Sequence, residues 1–272
     1  MAGLSNLANL DYVDRVNRAI DYVTANLGRP LRLEDVAAAA CFSPFHFHRI
    51  FRTLMGETLA SFTKRVRLER SVYLLSHLKR STLTEIALSC GFSSSSDFSR
   101  AFRGHYGVPP SRFDVKQLRQ SGLETLRAAA ASLNPSNRLE RLPDTGERKP
   151  FAIALRDLQP RRVAYIRVHR PYESNNVQQA ADRLLAWAES RGLGDGQWLG
   201  YQWDDPEIVP LEQCRYDIGV EVPDETRSNG DVSITALPRN WQVLCSWMQA
   251  TLLYLPTSMA RMVFVDAGLV IV

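Results

Sequence analysis

Residues 83–113 read LTEIALSCGFSSSSDFSRAFRGHYGVPPSRF, and an earlier stretch beginning at Leu31, LRLEDVAAAACFSPFHFHRIFRTLMG, nearly repeats them. Val36, Ala37, Phe42 and Ser43 match Ile86, Ala87, Phe92 and Ser93 at a spacing of 50. Phe47, Arg49, Phe51, Arg52 and Gly56 then match Phe98, Arg100, Phe102, Arg103 and Gly107 at a spacing of 51. So many matches surviving a single inserted residue mark a duplicated structural unit.

Each copy reads as helix, tight turn, helix. Glu34, Asp35 and Glu85 put acid in a first turn, where the helix dipole favours it. The period breaks at Cys41-Phe42 and at Cys90-Gly91-Phe92. Ser43, and Ser93 or Ser94, are good N-caps for the helix that follows. Gly91 suits a left-handed turn residue, and Cys41 in the equivalent place fits less well. In the second helix of each copy, Phe47, Ile50, Phe51 and Leu54, and Phe98, Ala101, Phe102 and Tyr106, recur at helical spacing and are expected to face inward.

The outward face carries cations. Arg49 and Arg100 could place a guanidinium fork on guanine O6 and N7 in a major groove. Arg52, Arg103, Arg112, Lys64 and Arg65 are expected on phosphates, and His46 is expected to pack or touch a phosphate. His46 and His48 point about 200° apart on a helix and so form no metal pair. Between the copies, TLASFTKRVRLERSVYLLSHLK has no Gly or Pro. It predicts a helix of about 20 residues, hence about 30 Å, close to the ~34 Å of one duplex turn.

These motifs, SPFHFHRIFRTLMG, RVRLERSVYLL and the run at 83–113, resemble the AraC/XylS-type DNA-binding domain over residues 12–115. The resemblance implies an all-α domain at 12–118 with two helix-turn-helix units joined by a long helix. The family's base-reading positions fall on Phe45, His48 and Arg49 in the first unit and on Ser95, Ser96, Ser99 and Arg100 in the second. It further implies a transcription regulator, acting on double-stranded DNA and, as an activator, through RNA polymerase.

The 272-residue chain is long enough for two domains, with 45% hydrophobic and 23% charged residues. Residues 1–130 hold 18 Lys and Arg against 11 Asp and Glu; residues 131–272 hold 15 against 18, together with all five tryptophans. A basic half and an acidic, Trp-rich half point to partners of different chemistry. Residues 132–150, rich in Pro, Ser, Asn and Gly, are expected to be a linker. No apolar run is long enough to span a membrane, the N-terminus lacks a secretory pattern, and the four cysteines form no CxxC pair. A cytoplasmic protein without a metal site is expected.

From Phe151 the pattern turns strand-like around one amphipathic helix. Val163, Tyr165, Arg167 and His169 alternate with Ala164, Ile166 and Val168. NNVQQAADRLLAWAESRGL carries Val177, Ala181, Leu184, Leu185 and Ala188 on one face. An α+β domain with a mostly antiparallel sheet follows over residues 151–272. VAYIRVHRPYE, WLGYQWDDPEIVPLEQCRYDIGVEVPDE and VSITALP resemble the GyrI-like effector-binding domain, and the pattern departs from that family after 238. Arg170 stands where the family has a glycine before Pro-Tyr. Asp266 is the carboxylate nearest the place of a family glutamate, and a helix over QATLLYLPTS is expected.

Tyr165, Tyr172, Trp203 and Glu221 are candidates for an effector pocket, taking a small aromatic or cationic ligand. Core packing is the competing role for Trp187 and Tyr216, and an arginine pair the competing role for Glu221. No catalytic triad or cofactor motif is legible: Gly192-Leu-Gly194-Asp-Gly196 has no following helix and reads as a turn. The sequence therefore predicts a regulator and not an enzyme. The competing readings of the second domain are a GyrI-like hydrolase and a ligand-free adaptor.

Overall fold

The computed structural model describes residues 2–78, 80–133, 153–158, 160–237, 240–245 and 263–266. Two compact units divide the chain, Met1–Arg119 and Gln120–Val272.

In the first unit α1 (Ala2–Ala25), α2 (Leu33–Ala39) and α3 (Pro44–Met55) are followed by α4 (Leu59–His77), α5 (Leu83–Ser89) and α6 (Ser95–Tyr106). The expected domain start at residue 12 thus falls inside α1. The duplication fixes the caps. Ser43 and Ser94 each accept a hydrogen bond from the backbone N–H three residues on, Pro44 opens α3, and Gly56 and Gly107 end the two helices at φ +72° and +78°. Thr82 and Glu85 form a reciprocal capping box on α5.

Phe47, Phe51, Phe62, Val16, Ile20, Val23 and Val36 form the core of the first three-helix set. In the second set Phe98 meets Phe92 and Phe102 edge-on or tilted, and Phe102 meets Tyr106 and Phe113. The long helix α4 has 19 residues, about 28 Å at the helical rise. Leu59, Phe62 and Val66 join the first core from its leading half, while Leu68 and Val72 are buried further along, where α4 packs on α5 and α6. Leu54 departs from its expected inward position and is 45% exposed. It lies on the same helical face as Phe47 but in the last turn of α3, which ends at Met55.

Helix α7 (Val115–Leu133) runs on through residues that carry no boundary signal, and it takes up the first two positions of the expected 132–150 linker. The remainder of that linker, and the helix expected over QATLLYLPTS, lie outside the described residues. Among the described residues no helix is long and apolar enough to cross a membrane.

The second unit contains β1 (Ile153–Leu158), β2 (Arg161–His169), α8 (Asn176–Glu189), β3 (Trp198–Gln202), β4 (Arg215–Glu221), β5 (Ser233–Leu237), β6 (Asn240–Cys245) and β7 (Val263–Asp266). The strands order as β5-β2-β4-β3-β7 in one sheet, and β1 pairs antiparallel with β6 in another. The one parallel pairing among the described strands, β3 with β7, sets Gln202 opposite Asp266 and departs from the antiparallel pattern of the rest. One sheet face, with Ala164, Ile166, Val168, Trp198, Ile218 and Val220, packs on Ala180, Ala181, Leu184 and Ala188 of α8. That is the alternation expected of β2 and the stripe expected of the helix.

Candidate nucleic-acid interface and ligand face

Helices α3 and α6 present equivalent faces. Phe45, His48, Arg49 and Arg52 occupy positions i, i+3, i+4 and i+7 and are all exposed; the N-terminal Phe45 is 83% exposed. Shifted by 51, the same stripe on α6 consists of Ser96, Ser99, Arg100 and Arg103, all exposed except the half-buried Ser99. Ser95, half-buried, matches Pro44 and lies off this stripe. The structure therefore brings together the first unit's three expected base-reading residues, and Ser96, Ser99 and Arg100 of the second. Lys64 and Arg112 are exposed as well, on α4 and on the short turn Pro110–Arg112.

One phosphate assignment, Arg65, is corrected. The Arg65 side chain is only 12% exposed, and it bonds Glu57 Oε1 through Nε and Nη2 at 3.2 and 2.6 Å and Glu69 Oε1 through Nη1 at 3.0 Å. Burial alone would lower its pKa, but the two carboxylates outweigh that and hold it charged. With its donors committed inside the fold, it is a structural ion pair. His46 is half-buried and packs its ring 5.3 Å from Phe42 and 5.9 Å from Tyr12, the packing alternative of its two expected roles.

Sequence reasoning missed what steadies the first turn. Arg15 stacks 3.6 Å over Phe42 and donates from Nε to Ala40 O at 2.9 Å. Cys41 does adopt the left-handed conformation, at φ +54°, as Gly91 does at +82°.

The expected pocket residues do not form one group. Tyr165, 2% exposed, and Trp203 share the sheet face away from α8, and Arg167 lies between them, 5.3 Å from the Tyr165 ring and 4.8 Å from the Trp203 ring. Arg167 holds Asp217 in a two-pronged pair, Nε to Oδ1 at 2.8 Å and Nη2 to Oδ2 at 2.7 Å, and Trp203 Nε1 donates to the same Oδ2 at 2.7 Å. Beside it Arg215 holds Asp204 in the same way, at 2.9 and 2.6 Å. The acid and aromatic rings that could have bound a cation thus already hold the chain's own guanidinium.

Tyr172 lies elsewhere: its hydroxyl accepts from Gln202, a side chain that alternates onto the α8 side of β3. Glu221 shares a face with Asp217 but pairs opposite Val163, four residues along β4, about 13 Å away at the strand rise. A cavity of about 560 Å³ opens beside Pro223, Glu225, Thr226 and Arg227, with Arg191 and Leu193, and includes none of the four expected residues. The paired charges had a signal in the sequence: lone Arg and Asp residues inside apolar strands that end up in register, Arg167 against Asp217.

Two three-helix sets, each ending in a capped helix with an exposed cationic stripe, define a double helix-turn-helix protein. A family model described as a helix-turn-helix domain matches residues 36–115, and one described as a GyrI-like small molecule binding domain matches residues 151–246. The Transposon Tn10 TetD protein of Escherichia coli is 33% identical over 120 residues, 42% of this chain and 86% of that protein. The Msm operon regulatory protein of Streptococcus mutans is 36% identical over 109 residues, 40% of this chain. A transcriptional regulator from Chromobacterium violaceum, of the AraC-type DNA-binding domain-containing proteins, is a solved structure at 29% identity, covering 36% of this chain and 86% of its own with a TM-score of 0.34. The chain spans only 38% of the length of the Msm regulator. It belongs to the AraC-type helix-turn-helix family and carries a GyrI-like domain behind the double helix-turn-helix.

Proposed function

We propose that the protein is a sequence-specific regulator of transcription that binds double-stranded DNA through α3 and α6 and a small-molecule effector through its second domain. The observation that carries the first part is the pair of equivalent stripes, Phe45-His48-Arg49-Arg52 and Ser96-Ser99-Arg100-Arg103, on helices that follow tight turns. In this reading Phe45, His48, Arg49 and Arg100 meet base edges, the latter two as guanidinium forks. Arg52, Arg103, Lys64 and Arg112 meet phosphates. Activation through RNA polymerase follows, in this reading, from the resemblance to the AraC/XylS-type domain.

For the effector, the self-paired Arg167 favours a neutral or apolar aromatic over a cation, because a cationic ligand would have to displace a buried two-pronged ion pair. Selection of bound DNA from a random pool, followed by Arg49→Ala, tests the DNA reading. The variant should lose about 1–3 kcal/mol on the selected site and relax its sequence there, whereas Arg52→Ala should weaken all sequences alike and flatten the salt slope by about one. An Arg49→Ala chain with unchanged site and affinity would remove α3 from the interface.

A further inference from the structure

The two helix-turn-helix sets touch at a seam that the long helix does not explain. Arg67, midway along α4, donates from Nε to Leu27 O at 3.0 Å and from Nη2 to Arg29 O at 2.7 Å. Both acceptors are backbone carbonyls of the turn after α1, so the guanidinium ties that turn down and sets positive charge near a helix C-terminus. The second set's turn presses on the same place. A Cβ on Gly91 would stand 2.1 Å from Leu27 O and 2.8 Å from Arg67 Nη2, and a Cβ on Gly28 would stand 3.0 Å from Ser89 O. Backbone therefore lies on backbone, with one glycine from each set and the Arg67 fork closing the corner.

The duplication shows that this is an added feature. The buried positions Val16, Ala19 and Ile20 of α1 match Leu68, Ser71 and Val72 of α4 at a spacing of 52, which sets Arg15 against Arg67. Arg15 uses its Nε on Ala40, in its own set's turn. Arg67 uses the same atom on the other set. Cys41 and Gly91 differ for the same reason: a side chain is tolerated at the first left-handed position, which is exposed, and excluded at the second, where Leu27 and Arg67 fill the space.

We propose that Arg67 is a positioning residue for DNA binding: with Gly28 and Gly91 it locks the two base-reading helices at a fixed separation and phase, which α4 alone does not set. The proposal rests on the reading of the chain as a DNA-binding protein. Its test uses the full chain and three DNAs: the selected site, that site with the second half-site scrambled, and that site with one base pair added between the halves. Wild type should bind the first strongly and the other two at least tenfold more weakly. Arg67→Met should lose about tenfold on the selected site, change less than twofold on the scrambled one, and narrow its preference between the selected and lengthened sites to within threefold. Arg67→Lys should fall between. Gly28→Ala, a milder change, decides the matter if Arg67→Met fails to fold, and it should narrow the spacing preference by at least threefold. Equal losses on all three DNAs would make Arg67 a general stabilising residue, and an unaltered spacing preference in either folded variant would overturn the seam. A wild-type chain that selects no DNA would overturn the DNA reading itself and the seam with it.

Discussion

Replacing Asp217 by Asn tests whether the sheet face of the second domain is held by a buried charge pair. Asp217 accepts Nε and Nη2 of Arg167 and Nε1 of Trp203, and the side chains of Asp217 and Arg167 are 9% and 1% exposed. Asn removes the negative charge and turns an NH₂ toward a guanidinium or indole N–H, donor against donor. A buried charge stripped of its partner costs about 3–5 kcal/mol, whereas replacing both partners by apolar groups is near neutral. Arg167→Met with Asp217→Leu should therefore recover most of the loss, leaving about 1–2 kcal/mol for the Trp203 N–H without an acceptor. The coupling between the two positions should exceed about 2 kcal/mol. Urea titration of the full chain, followed by tryptophan fluorescence, reads this domain alone because every tryptophan lies in the second half. An Asp217→Asn cost below about 1 kcal/mol, or single-variant costs that simply add, would refute the pair as the organising contact of this face.

Arg170 sits at φ +56° with its backbone N–H on Cys214 O, so Arg170→Gly should stabilise the second domain by about 0.5–1 kcal/mol; the exposed pair with Glu173 that it sacrifices is worth little. A destabilised variant in the same urea assay would contradict the strain argument. Burial pushes the Cys90 thiol up to about 11, so the folded first unit keeps a proton that the unfolded chain releases near pH 9. Stability from this group is fully present below pH 9 and should fall by up to about 2–3 kcal/mol between pH 9 and 11. Cys90→Ala should lack that extra alkaline loss when thermal midpoints are compared across pH. Arg65→Ala, which removes the guanidinium that Glu57 and Glu69 share, should lower the first unit's thermal midpoint while leaving the salt slope of DNA binding unchanged, unlike Arg52→Ala.

The double helix-turn-helix is legible because a duplicated sequence states its caps twice: Ser43 and Ser94, Gly56 and Gly107, and the aromatic stripes match at one register. The exposed faces follow from the same helical period. Arg65 is misread from sequence because a cation on a helix looks alike whether it meets solvent or two carboxylates, one four and one eight residues away. The Arg67 seam is invisible there because its acceptors are backbone carbonyls about 40 residues distant, to which residue type gives no clue. In the second domain, alternation reveals both faces of β2, but the partners across a sheet depend on register. Only with β4 set against β2 does Arg167 find Asp217 and remove Tyr165 and Trp203 from an open pocket. Arg170 is the reverse case: a family glycine position occupied by another residue has kept the positive φ that explains the glycine.

The two units should contribute unequally to recognition. Phe45 and His48 are long enough to cross to base edges, while their counterparts Ser96 and Ser99 are short and reach bases only at close approach or through water. Weak reading need not mean weak contribution. A second unit held rigidly to the first binds without a new association cost, so even a few phosphate contacts and one guanidinium fork raise affinity as an effective concentration would. Arg100→Ala should therefore lower affinity for the selected site by about tenfold, the scale of roughly 1.4 kcal/mol, and remove most of the base preference at the second half-site, which rests on that one guanidinium fork. Arg49→Ala should relax its own half-site less completely, because Phe45 and His48 still reach base edges there. Repeating the selection with each variant, at one salt concentration, separates the two. If a clear base preference survived Arg100→Ala at the second half-site, the serines would not be limiting, and both helices would read DNA on equal terms.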